Sequence, residues 1–237
     1  MLKLPLLPHD PKFEHVNAAV VLFLFLTIAS LIANRAIKGR RDQYLIPSKK
    51  FNLVNICDLL VEGLYGMVVE TLGPTGVKYF AFVASLFIFV LFGNLLGLIP
   101  HSAAPTGSVN TTFALGLATF VYYNVMGVVE HGPVGYAKHF LMGLGIAGIP
   151  IALLELISHA VRPVSLGVRL FVNMFVDHAL ASQFGKVFAW FLPVPLLFLG
   201  IVVCMIQAFV FAMLTTVYLQ MATEHEHAAE EGHGHAH

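Results

Sequence analysis

The sequence predicts an all-α polytopic membrane protein with five transmembrane crossings and one interfacial amphipathic helix. The last two helices are expected to be long, strongly tilted and paired as a hairpin. Three observations carry this. Of 237 residues, 58% are hydrophobic and 11% charged, which fits several spans in a single membrane domain rather than one anchor. Apolar runs recur along the chain, divided by charged or Pro/Gly-bearing turns. One run, ELISHAVRPVSLGVRLFVNMFVD at 155–177, is too apolar for a soluble helix yet holds a Glu, a His, two Arg, an Asn and an Asp. Formal net charge is zero, so no basic surface points to nucleic acid.

The first span is 16–34, Val16 to Asn34. Its apolar run exceeds a usual signal-peptide core and lacks a small-residue cleavage site. Lys3 and Lys12 against Asp10 and Glu14 precede it; Arg35, Lys38, Arg40 and Arg41 against Asp42 follow it. The positive-inside rule therefore places the N-terminus outside and residues 35–50 in the cytoplasm. Residues 51–72 carry Asp58, Glu62 and Glu70 among apolar residues. Asp58 and Glu62, four apart, give a helix an acidic edge beside an apolar face, which suits a helix lying on the cytoplasmic surface. A true span with buried acids is the alternative.

Residues 78–99 then cross to the outside, HSAAPTGSVN turns the chain, and 110–129 crosses back. The small and hydroxyl residues Thr111, Thr112, Ala114, Gly116, Ala118 and Thr119 suit close helix packing. The loop EHGPVGYAKH at 130–139 is polar, turn-rich and, by counting spans, cytoplasmic.

Residues 140–185 are expected to form the first of the two long tilted helices. From Pro150 to Gly185 only Pro163 interrupts the helical pattern. A helix of that length measures about 50 Å against a hydrocarbon core of about 30 Å, so it must be strongly inclined or broken. At about 100° per residue, Glu155, His159, Arg162, Arg169, Asn173 and Asp177 fall within about 40° of one direction. The stripe keeps phase across Pro163, which favours one continuous helix with its polar stripe turned to another protein. The last helix, 193–222, starts at Pro193 and Pro195 near the interface anchor Trp190; Gln207 is its mid-depth polar residue. The tail 223–237 ends in HEHAAEEGHGHAH, whose histidine spacing fits no defined metal site and reads as solvated and disordered. Cys57 and Cys204 stand in unrelated apolar stretches and read as small buried hydrophobes. No phosphate loop, zinc-protease helix or nucleophile elbow occurs, so no catalytic centre, cofactor or metal is expected.

The strings RPVSLGVRLFVNM and IQAFVFAMLTTVYL resemble the two signature helices of the a subunit of bacterial F-type ATP synthase. FGNLLGLIP and PTGSVNTTFALGLA are similar to that family's preceding hairpin, and the order of elements agrees over roughly residues 15–222. The resemblance implies a proton-conducting stator subunit of a rotary ATP synthase in the cell inner membrane. It is multi-pass, with the C-terminus in the cytoplasm and no active site of its own. Its partners are a ring of c subunits, b-type peripheral stalk subunits, the rest of the complex and the lipid bilayer. Proton is the default ion, since the choice over sodium lies largely in the ring.

Residue by residue, Arg169 stands at the family's essential stator arginine and Gln207 at the glutamine that faces it. Asn173 and Glu155 stand at the polar positions on either side of the arginine, one lining the path and one in the cytoplasm-facing half-channel. Where the best-known pattern has a glycine and then a glutamate, this chain has Asp177 and His178, and Gly200 replaces the accompanying histidine. The outer half-channel then rests on Asp177, His178 or both.

These residue types suit that work. Guanidinium keeps its proton at any working pH, so Arg169 can block a direct leak where a lysine could relay one. It attracts an ionised rotor carboxylate by about 4 kcal/mol at 4 Å and an effective dielectric near 20. Glu155 lies fourteen residues before Arg169, about 21 Å along the axis, and Asp177 eight residues after, about 12 Å. Acids on opposite sides of a central cation are what two offset half-channels need. His159 can join Glu155 as a relay or simply pack with a hydrogen bond. Arg162 can pair with Glu155 or meet a lipid phosphate. The amides of Asn173 and Gln207 orient rather than titrate. The rival class is a stand-alone secondary transporter or antiporter, which should show an internal repeat with broken helices in two matching halves; the sequence shows none.

Overall fold

The computed structural model describes residues 14–38, 53–98, 104–141, 148–187 and 193–223. Among them all regular structure is helical. Six long helices follow in order: α1 (Glu14–Lys38), α2 (Leu53–Leu72), α3 (Val77–Gly97), α4 (Val109–Leu141), α5 (Gly148–Val187) and α6 (Pro193–Thr223). Single 3-10 turns at Pro74–Gly76 and Pro105–Gly107 lead into α3 and α4. By length and composition four helical stretches can cross a membrane: His15–Ile32, Val77–Gly97, Val109–Tyr136 and Pro195–Thr223. The expected fifth, α5, is not among them, because its polar residues dilute an otherwise apolar sequence. Trp190 and the His/Glu-rich tail lie outside the described residues.

The core forms where α3, α4 and α6 meet with part of α2 and α5. Val83, Phe87, Val90, Tyr123, Leu166, Leu170, Phe211 and Leu219 are buried there. Helix α2 gives this core Leu64 and Val68, while Asp58, Glu62 and Glu70 are exposed. That is the expected acidic edge. Helix α1 is the least attached. It touches the rest chiefly where Leu22 packs over Gly93, and Phe23, Ile28, Leu31 and Ile32 are exposed along it.

Helix α4 packs most extensively on α5. A Cβ at Gly116 would lie 2.5 Å from the Pro163 carbonyl oxygen, and one at Gly167 would lie 3.2 Å from the Phe113 Cα and the Thr112 carbonyl oxygen. The two backbones meet here, so only glycine fits. Thr112 and Thr119 are fully buried on the same face, and their hydroxyls donate back to carbonyls of their own helix at 3.0 Å. The small-residue packing expected from the sequence is thus real, but it uses 112, 116 and 119; Ala114 and Ala118 face outward.

Helix α5 runs unbroken for 40 residues with Pro163 inside it. The loss of one helical hydrogen bond and the ring crowding at Pro163 are absorbed without a stop. Two boundaries differ from expectation. The 130–139 loop is helical on both sides of one residue, Gly132, whose φ of 72° and ψ of 162° break the helix. Glycine tolerates that backbone and Pro133 can start a new turn, so the chain reverses without a long loop. The long helix begins at Gly148 rather than 140, since residues 140 and 141 still belong to α4.

Two further contacts brace the α3–α4 hairpin. Lys78 forms an ion pair with Glu130, and the Tyr79 hydroxyl donates to the same carboxylate at 3.1 Å. Beyond the Gly132 break, the Tyr136 ring lies over Gly127, where a Cβ would also come 2.9 Å from the Ala222 carbonyl oxygen of α6.

Gly116→Ala should lower the melting temperature of the assembled complex, at a cost of about 1–3 kcal/mol for forcing two backbones apart. Ala118→Leu, on the exposed side of the same helix, should leave it within about 0.5 kcal/mol of the parent.

Candidate functional site

The site is built on α5 and the neighbours it passes. Antiparallel α6 lies in a fixed register beside it. The Arg162 guanidinium sits 5.3 Å from the Tyr218 ring centroid. Asn173 Nδ2 donates to Gln207 Oε1 at 2.5 Å. Arg162 and Asn173 are eleven residues apart on α5, as Gln207 and Tyr218 are on α6. One turn further toward the α5 C-terminus, Asp177 comes within electrostatic range of Cys204, which is buried and free.

The stripe read as a single face therefore meets different surroundings along its length. His159 turns into α4 and is buried against the rings of Phe120 and Tyr123, with centroids 5.1 and 5.4 Å away. Its Nε2 lies 2.9 Å from Asn124 Oδ1. Arg162 turns toward α6. Arg169 is exposed and, among the described residues, has no hydrogen bond or ion pair within the chain. Asn173 and Asp177 are half-buried and His178 is exposed. Glu155 lies on α5, with its side chain outside the described residues.

Gln207 is 4% exposed. Its oxygen is taken by Asn173, and its Nε2 is buried without a hydrogen-bond partner. The expectation that Gln207 looks directly at Arg169 thus takes a different form: the amide ladder joins Gln207 to Asn173, one turn along from Arg169. Gly200 packs on Leu98, the residue that follows α3, where a Cβ would lie 2.5 Å from the leucine Cδ2.

Beside the Asp177 end of α5 sits the 3-10 turn. The Thr106 hydroxyl donates to Met174 Sδ at 3.4 Å, and His178 Nε2 lies 3.9 Å from where a Cβ on Gly107 would be. Asn94 of α3 is buried, and among the described residues its Oδ1 has no hydrogen-bond partner. Among the described residues no group of three His, Cys, Asp or Glu could hold a metal ion. Sequence reasoning missed Asn124, Tyr136, Tyr218 and Asn94. A lone amide within an apolar run, as at Asn94 and Asn124, was the available signal.

The sequence model of the ATP synthase A chain family matches residues 16–220. The chain belongs to this family. It is 41% identical over 221 residues to an ATP synthase subunit a of Bdellovibrio bacteriovorus, covering 92% of this chain and 96% of that protein. It is 39% identical to ATP synthase subunit a 1 of Syntrophotalea carbinolica, covering 93% of this chain and 90% of that protein. A subunit a of Citrifermentans bemidjiense is 35% identical over 92% of this chain and 93% of its own length. An ATP synthase A chain with four apolar helices is a multi-pass membrane protein and a component of the ATP synthase membrane sector.

The Asn173–Gln207 bond invites a direct measurement. Gln207→Leu strands the Asn173 amide and should destabilise the complex by about 1–3 kcal/mol. The Asn173→Leu, Gln207→Leu double variant should cost less than the sum of the single ones, read from melting temperatures in a double-mutant cycle.

Proposed function

We propose that this chain is the proton-conducting stator subunit of a rotary F-type ATP synthase. It gives the carboxylates of a c-subunit ring two offset half-channels, separated by Arg169. The observation that carries this is Arg169 itself: an exposed guanidinium on a largely apolar helix, with no anion from its own chain among the described residues. A cation so placed in hydrocarbon is expensive unless a partner compensates it, and a rotor carboxylate brought to α5 is such a partner. The Asn173–Gln207 bond ties α5 to α6 one turn away, which keeps the guanidinium on the open face.

On this reading α5 also crosses, as the fourth of five crossings in chain order, and α2 lies on the cytoplasmic surface, with the N-terminus outside and the C-terminus inside. The apolar flank of α1 leaves room for b-type stalk subunits and lipid. Glu155, with His159 one turn on, serves the cytoplasmic branch. Asp177, His178 or both serve the outer one, beside the 3-10 turn that carries Thr106. The proton is stripped from the rotor carboxylate where Arg169 meets it. The permanent guanidinium charge then closes the straight route between the branches. Each charge moved across the membrane handles about 2.3 kcal/mol per 100 mV.

In the assembled enzyme Arg169→Ala should abolish coupled ATP synthesis. Arg169→Lys should also fail to couple, because lysine can lose its proton. Full ATP-driven proton pumping by Arg169→Ala sinks the reading. A transporter acting alone would move its ion as purified chain in liposomes; the stator should be silent there until the ring is added.

A further inference from the structure

Asn124 stands inside the apolar run of α4, and nothing in the stator reading requires it. Its Nδ2 donates to the Phe120 carbonyl at 2.7 Å, while its Oδ1 lies 2.8 Å from the Tyr136 hydroxyl and 2.9 Å from His159 Nε2. A peptide carbonyl has no proton to give, so the amide nitrogen must face Phe120 and the amide oxygen must face the other two groups. That oxygen can only accept. Tyr136 therefore donates its O–H, and His159 donates from Nε2. A neutral imidazole carries a single N–H; with that hydrogen on Nε2, the basic lone pair is on Nδ1.

We infer that Asn124 and Tyr136 are positioning residues that hold His159 as its Nε2–H tautomer, making Nδ1 the atom at which the inner branch loads and unloads a proton. In ATP-driven pumping a hydronium ion in the cytoplasm-facing branch loses an O–H bond, becoming water, as an N–H bond forms at Nδ1 and gives an imidazolium with both nitrogens protonated. The same Nδ1–H bond then breaks as water on the rotor side accepts the proton. The Nε2–H bond to Asn124 persists throughout, so the ring returns to its starting tautomer without turning over. Turning is opposed by the packed Phe120 and Tyr123 rings. The opposite tautomer would set the Nε2 lone pair against the Asn124 oxygen.

The backbone is arranged for this contact. Tyr136 is twelve residues beyond Asn124, so its hydroxyl returns only because Gly132 breaks the helix at φ 72°. The ring then finds its seat only because position 127 lacks a side chain. Among the described residues the titratable and charged groups around the imidazole include Tyr123 and Tyr136 of α4 and Arg162 of α5, with Tyr218 of α6 behind the guanidinium.

The inference rests on the stator reading, and its test separates the two. The whole ATP synthase carrying each variant is reconstituted in liposomes, and ATP-driven proton uptake is followed against pH. His159→Gln keeps an N–H donor for Asn124 but cannot carry a proton. It should pump at least about tenfold more slowly, in the range of a lost acid–base group, and should lose one ionisation from the pH profile. Asn124→Leu removes the acceptor and should slow pumping and displace that ionisation. Because Asn124→Leu can fail to assemble, Tyr136→Phe is the second variant: it leaves the Asn124 oxygen to His159 and should displace the same ionisation by a smaller amount.

A His159→Gln enzyme matching the parent in rate and profile overturns the inference, because packing alone would then explain the histidine. An assembled Asn124→Leu enzyme with the parental profile overturns the tautomer assignment. If Arg169→Ala pumps normally, the stator reading itself has failed. If Arg169→Ala is silent while His159→Gln is normal, only this inference falls.

Discussion

Contact between two backbones sets the positions of the other groups. Where α4 and α5 cross, Gly116 meets the carbonyl of Pro163 and Gly167 meets Phe113 and Thr112, leaving no space for a side chain on either glycine. In hydrocarbon there is no hydrophobic drive between helices, so dispersion and close approach must hold them. The crossing fixes the rotation of α5 about its own axis. Once that rotation is set, His159 has to enter α4, and Arg169 has to remain on the surface.

The polar stripe of α5 is consequently divided. A straight helix carrying Glu155 to Asp177 on one side covers about 33 Å, and different neighbours meet it along that length. His159 is absorbed by α4 through Asn124, and Arg162 by the face of Tyr218, where a guanidinium over an aromatic ring is worth about 0.5–2 kcal/mol. Asn173 is absorbed by Gln207. Among the described members of the stripe, Arg169 is the charged group left exposed. Partners for His159, Arg162 and Asn173 lower the cost of the stripe and leave the Arg169 guanidinium outward.

Much of this could be read from residue order. The four apolar helices, the acidic edge of α2 and the unbroken course of α5 through Pro163 followed from period and phase. The helix continues through Pro163 because side-chain packing along α5 outweighs one missing N–H. What order could not supply was the rotation of one helix against another. That is why Gln207 was paired in expectation with Arg169 and in the structure with Asn173. The 130–139 segment read as a loop because Gly-Pro is a strong turn signal. One left-handed residue was enough to make that turn, leaving the flanking residues free to be helical. The network at Asn124 escaped because its members, at 124, 136 and 159, share no local spacing.

The register between α5 and α6 has a mechanical meaning. Arg162 on Tyr218 and Asn173 on Gln207 are two fastenings set eleven residues apart on both helices, a lever arm of about 16 Å. A single fastening would leave a hinge about which one helix could swing past the other. Two at that separation resist shear along the pair and twist across it. Arg169 lies between them, in the stretch of α5 that a sideways load can displace least.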